Sequence, residues 1–121
     1  MERRLRIWFN SSYRFRGAGV SYVKLEILRE YVVFARHLNF SSAARELYVS
    51  QSGLSTHIKN MEKELGFDLV DRSEPVALTP AGREFLRCAQ DTLAAYDDGY
   101  RRSLKALASP PARILAYETS E

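Results

Sequence analysis

The sequence predicts a mainly α fold: a three-helix core, a short β-hairpin, and one long helix after it. Three observations predict it. Apolar residues recur at helical spacing in two stretches between residues 24 and 65, with a short Ser-capped helix between them. Two short strand-like runs, "DLVDR" and "VAL", flank the turn-like "SEP". After a Thr-Pro helix start, an apolar stripe persists for about 28 residues.

The first helix is read from "KLEILREYVVFARHL", residues 24–38, where Leu25, Leu28, Val32 and Ala35 share a face. His37 falls at its end, where the helix dipole favours partial positive charge. Residues 39–42 break the pattern. Ser41 is expected to cap a second helix over residues 42–48. Val49 turns the chain, and Ser50 caps a third helix. There Leu54, Ile58, Met61 and Leu65 recur at +4, +3 and +4, one buried stripe closed by Gly66 as C-cap. Residues 67–79 are too short and irregular for another helix and read as a two-stranded hairpin. Thr79 then caps the long helix, with Pro80 in its first position. Leu86, Ala89, Leu93, Tyr96, Tyr100, Leu104 and Leu107 follow at spacings of 3, 4, 3, 4, 4 and 3. Such a helix is too long to bury itself on a small domain, and its stripe is like a coiled-coil seam. Leu86, Leu93, Tyr96, Tyr100 and Leu104 are the residues expected to meet a second copy of the chain. Ser109, Pro110 and Pro111 stop the helix, and "ARILAYETSE" reads as a strand that begins and is cut.

A chain of 121 residues, 45% hydrophobic and 27% charged, fits one small globular domain. Its expected parts are a basic flexible extension (1–23), the helical core with its hairpin (24–79), the long helix (80–108), and a hinge opening a further domain (109–121). The single Cys88 makes no internal disulfide and is expected to be a small packed residue. No Cys or second His stands at ligand spacing, so neither a metal nor a cofactor is expected. No apolar run is long enough to span a membrane, and only "IWF" follows Arg3, Arg4 and Arg6, too little for a signal peptide.

The net charge of +3 is unevenly placed. Residues 1–23 hold five Arg and one Glu, whereas the rest holds thirteen Lys or Arg against fourteen Asp or Glu. Any nucleic-acid reading therefore rests on local geometry rather than on a globally basic surface. The leader itself has three readings. It is a DNA- or membrane-seeking arm, an organelle-targeting peptide, or a stretch outside the working protein, with Val20 or Val23 as an alternative start. The last is favoured.

Two short helices joined by a tight turn, the second amphipathic, make a helix-turn-helix. This explains the small residues in "SSAARELYVSQSGLST". Ala43 and Ala44 allow close helix packing. Ser52, Gly53, Ser55 and Thr56 keep the third helix slim enough for a major groove roughly 12 Å wide. Ser52, Ser55, Thr56 and Lys59 lie away from the buried stripe and can bond base edges or phosphates. Gln51 can pair with an adenine edge through two bonds. Ser41, Ser42, Ser50 and Arg72 are the expected DNA-backbone contacts; Ser41 and Ser50 read equally well as caps alone. His57 flanks the stripe and is expected to pack, or to lie at the groove edge, without a metal.

"FSSAARELYVSQSGLSTHIKNMEKELGFDLVDR" followed by "LTPAG" resembles the DNA-binding part of the LysR-type transcriptional regulators, over about residues 24–107. The resemblance implies a winged helix-turn-helix with a linker helix that dimerises. It also implies an effector-binding domain beyond this chain, and a small-molecule co-inducer only if that domain exists. The expected partners are double-stranded DNA and a second copy, or a tetramer for a full-length protein, in a bacterial cytoplasm and on its nucleoid. Two departures stand out. The family usually has Pro where Ser52 stands and often Arg where Thr56 stands. Its wing is usually basic and about one residue longer, whereas here it is "SEP" with Glu74. Lower affinity or altered base preference follows as an expectation. The competing reading is an interaction protein that pairs with full-length regulators and blocks them. An enzyme is not expected, because no nucleophile–base set, paired carboxylates or phosphate loop is present.

Overall fold

A computed structural model describes residues 23–108, so the expectations for the Arg-rich leader and for residues 109–121 lie outside the described residues. Helix α1 (Leu25–His37) ends where Leu38 turns left-handed at φ 51°. Helix α2 (Phe40–Leu47) starts from Asn39, whose side-chain oxygen accepts from Ser42 N at 2.8 Å. This corrects the expected start: Asn39 is the N-cap, not Ser41, and the helix begins and ends earlier than residues 42–48. Asn caps as well as Ser does. The earlier start also seats Phe40 in the first turn, with its ring 4.4 Å from that of Phe34.

Helix α3 (Gln51–Leu65) is capped by Ser50 and ends at Gly66 with φ 89°, both as the sequence indicates. Strands β1 (Val70–Asp71) and β2 (Ala77–Leu78) pair antiparallel, Val70 opposite Leu78 and Asp71 opposite Ala77. Helix α4 (Pro80–Leu107) runs 28 residues from its Thr79 cap. The molecule is thus a winged helix-turn-helix followed by a long helix.

The core is built on Tyr31, Phe34, Leu54, Ile58 and Leu69. Helix α1 lies at its centre, touching α2, α3 and α4. Its buried apolar set is Leu28, Tyr31, Val33 and Phe34, while the expected Leu25, Val32 and Ala35 are only half-buried. A single stripe describes a helix covered from one side; α1 is covered from several. Leu65 is likewise half-buried, being the last residue of α3.

The first turn of α4 is fastened to this core. Tyr31 Oη donates to the Gly82 carbonyl at 2.7 Å, inside the protein. Burial first, and the charge of Glu62 second, push the Tyr31 hydroxyl well above its ordinary range, so it stays a donor. Thr79 Oγ1 donates to the Asp68 carbonyl at 2.7 Å and accepts from Gly82 N at 2.8 Å. Gly82 has no room for a side chain: a Cβ there would collide with the Leu69 carbonyl oxygen.

Further along α4, Ala89 is buried and Phe85, Leu86 and Leu93 pack against the chain's own core. Tyr96, Tyr100, Leu104 and Leu107 stand exposed, the two tyrosines stacked with centroids 6.3 Å apart. Cys88 is exposed, which corrects its expected packing. It immediately precedes Ala89, and one residue along a helix turns a side chain by about 100°, away from the stripe that faces the core.

Candidate nucleic-acid interface

Helix α3 divides cleanly. Leu54, Ile58 and Met61 are buried, and Gln51, Ser52, Thr56 and Lys59 are exposed on the opposite side. Ser55 is half-buried between the two faces. Its first turn is set by Ser50, whose Oγ accepts from Gly53 N at 2.9 Å. The N–H groups of Gln51 and Ser52 have no acceptor within the helix and sit at its positive end. Gly53 has an internal reason besides slimness, since a Cβ there would lie 2.8 Å from Ser50 Oγ and displace the cap.

Ser41 is exposed and Ser42 half-buried in the first turn of α2, with the backbone N–H of Ser42 occupied by Asn39. Ser41 is therefore a first-turn residue whose hydroxyl is free of the capping role. The turn joining α2 to α3 is tight, with Tyr48 left-handed at φ 60° and nearly fully exposed.

Contacts to three carboxylates, Glu46, Glu30 and Glu62, hold these helices in place. His37 Nε2 lies 2.7 Å and Arg36 Nη2 3.0 Å from Glu46, tying α1 to α2. Those two hydrogen bonds, His37 first, hold the Glu46 carboxyl below its usual 4.5. His57 Nδ1 sits 2.8 Å from Glu30 Oε1, joining α3 to α1, and the Glu30 side chain is buried. The sequence places His57 at the edge of the stripe; the structure adds the partner that orients it.

The third carboxylate, Glu62, links α3 to the hairpin. Glu62 is buried; its Oε2 accepts from Leu69 N at 2.7 Å and Val70 N at 3.0 Å. Its Oε1 accepts from Arg72 Nη1 at 3.2 Å. Arg72 Nη2 lies 3.5 Å from the Ser55 carbonyl, and the guanidinium is 5.2 Å from the centre of the Phe40 ring. At the hairpin tip Ser73 N and Oγ donate to Asp71 Oδ1 at 3.1 and 2.6 Å, which lowers the Asp71 carboxyl, the hydroxyl contributing most. Ser73, Glu74 and Pro75 are exposed, so the tip carries a carboxylate outward and no cation.

Sequence reading missed Asn39, Glu30, Glu62, Tyr31 and Gly82. A usable signal existed for Glu62. It stands four residues after Ile58 and three before Leu65, on the stripe's side of the helix, and an acid so placed needs donors. Among the described residues no group of three His, Cys, Asp or Glu is placed to hold a metal, and no helix is long and apolar enough to cross a membrane.

Residues 25–83 match the family described as "Bacterial regulatory helix-turn-helix protein, lysR family". The chain is 40% identical over 85 residues to the Hca operon transcriptional activator HcaR of Escherichia coli, covering 69% of this chain and 28% of that protein. Among solved structures it is similar to a BenM_DBD/catB site 1 DNA complex, at 32% identity and TM-score 0.69, over 73% of this chain and all of that one. A CbnR_DBD–DNA complex is similar at 30% identity and TM-score 0.68, over 70% of this chain and 99% of that one. The chain spans about a quarter of the length of the curated relatives it matches.

Proposed function

The chain belongs to the lysR family of bacterial regulatory helix-turn-helix proteins, and on that premise we propose that it is a sequence-specific transcriptional regulator that seats α3 in the major groove of double-stranded DNA. The observation that carries this reading is the two-faced α3. Gln51, Ser52, Thr56 and Lys59 stand exposed while Leu54, Ile58 and Met61 anchor the opposite side in the core. Gln51, Ser52, Ser55 and Thr56 offer neutral donors and acceptors to base edges. Lys59, Ser41, Ser42 and Ser50 are placed for the sugar–phosphate backbone, together with the first-turn N–H groups that the caps leave free, such as those of Gln51 and Ser52. Arg72 lies at the root of the wing, its guanidinium against Glu62 and the Ser55 carbonyl.

The protein acts as a dimer through α4 in this reading. The seam runs from Leu86 and Leu93, half-covered by their own core, to the exposed Tyr96, Tyr100 and Leu104. Exposed apolar side chains at helical spacing support a partner helix there. Two α3 helices would then enter successive major grooves, with α4 setting their separation. A bacterial cytoplasmic location goes with this function. A small-molecule co-inducer enters only if an effector-binding domain exists outside this chain.

The test is enrichment of duplexes from a random-sequence pool by the purified chain, followed by titration of the winning duplex. Recovery of a dyad-symmetric sequence is expected. A chain that retains no duplex yet forms mixed dimers with an intact relative would replace this reading by that of a blocking partner.

A further inference from the structure

Arg72 is the residue at which the whole reading head converges. Its planar group meets two helices, α3 at two points and α2 at a third. One terminal nitrogen donates to Glu62 Oε1 at 3.2 Å, and the other lies 3.5 Å from the Ser55 carbonyl, in the middle of the exposed row of α3. The face of the guanidinium rests 5.2 Å from the Phe40 ring centre, on α2. Glu62 in turn receives the Leu69 and Val70 N–H groups, so the same carboxylate fixes where β1 begins. Arg72 Nε is buried and has no partner. Both terminal nitrogens therefore already have acceptors inside the protein. Each terminal nitrogen keeps a second N–H, but a phosphate taking it would share a guanidinium whose charge is already matched by a buried carboxylate.

We infer that Arg72 is a positioning residue: it fixes the tilt of α3 against the wing and α2, and so sets base discrimination, without itself contacting DNA. This rests on the proposed DNA-binding function. The planar fork is what the site requires. A lysine keeps the charge but cannot reach two acceptors while lying flat on an aromatic ring.

The test separates positioning from phosphate contact and from mere fold support. The full chain, Arg72→Met, Arg72→Lys and Glu62→Gln are each titrated with the duplex enriched from the random pool and with poly(dI-dC), over a range of salt. Arg72→Met should lower the ratio of the two affinities by about tenfold, as a misplaced reading helix loses base contacts. The slope of log affinity against log salt should stay unchanged. Arg72→Lys and Glu62→Gln should reproduce the loss of ratio, and Arg72→Lys serves alone if the methionine variant does not fold. A slope reduced by about one with the ratio kept would make Arg72 a phosphate contact and overturn the inference. A lowered melting temperature with the ratio kept would reduce it to fold support. A DNA-free arm compares backbone amide shifts of residues 51–59 in the full chain and in Arg72→Lys. Shifts are expected to move along that stretch, and unmoved shifts would refute the role. If the unmutated chain enriches no duplex, the DNA-binding reading fails, and the amide shifts still decide the role of Arg72.

Discussion

Gly82→Ala and Gly99→Ala are the same substitution in the same helix, and the structure assigns them opposite signs. By helix propensity alone each should stabilise by about 1 kcal/mol. At Gly99 the nearest atom to an added Cβ is the flexible Arg102 Nη2, 3.9 Å away, so that gain is kept. At Gly82 the Cβ would collide with the Leu69 carbonyl oxygen and lie 2.9 Å from its carbon and 3.0 Å from Tyr31 Oη. The first two atoms are backbone and cannot swing aside. Forcing extra volume into a packed core costs roughly 1–3 kcal/mol. Any retreat of α4 also stretches the buried Tyr31 Oη to Gly82 O bond, and an unsatisfied buried group adds roughly 1–3 kcal/mol. Set against the propensity gain, these leave Gly82→Ala destabilising by about 3 kcal/mol, the middle of a range of roughly 1–5. For a domain of this size that lowers the melting temperature by roughly 10–20 °C. Thermal and urea unfolding followed by far-ultraviolet circular dichroism measure both variants. If the two alanines shift the midpoint in the same direction, the account of how α4 is fastened to the core is wrong.

Other expectations concern the interface and the seam. Thr56→Arg should tighten DNA binding and steepen its salt dependence by roughly one counterion, read from titrations at several salt concentrations; unchanged affinity and slope would mean that position 56 does not face the duplex. Tyr100→Glu combined with Leu104→Glu alters only exposed seam residues, so it should yield folded monomers by light scattering, and a persistent dimer would relocate the seam. The lowered Glu46 carboxyl favours folding above its ordinary value, and that contribution disappears as pH falls through the depressed folded value. The urea midpoints of the wild type and Glu46→Gln should therefore converge on acidification below the usual 4.5 of a Glu; curves that stay parallel would show that Arg36 and His37 do not hold this group.

Helix α3 could be read from residue order because its determinants are local. The Ser50 cap, the +4, +3, +4 spacing of its anchors and the C-terminal Gly66 all act within one or two turns. The same holds for the Thr79-Pro80 start of α4. Helix α1 was read less well, because burial from several sides breaks the one-sided stripe that periodicity detects. The choice of Asn39 over Ser41 was decided by a ring contact between Phe40 and Phe34, which propensity cannot foresee. The pairs Glu30 with His57, and Glu62 with Arg72, join residues separated by 27 and 10 positions. Only a folded backbone brings such groups together, so the exposed row was visible in the sequence and its internal bracing was not.

The hydroxyl of Thr79, the carbonyl of Gly82 and the phenol of Tyr31 together weld the long helix to the domain that precedes it. A weld is not a hinge. Should two such molecules need to fit operators of different lengths, neither could swing its head about the base of its stalk. The adjustment would have to come from the stalks sliding or rolling on each other, or from the duplex bending to meet a fixed caliper.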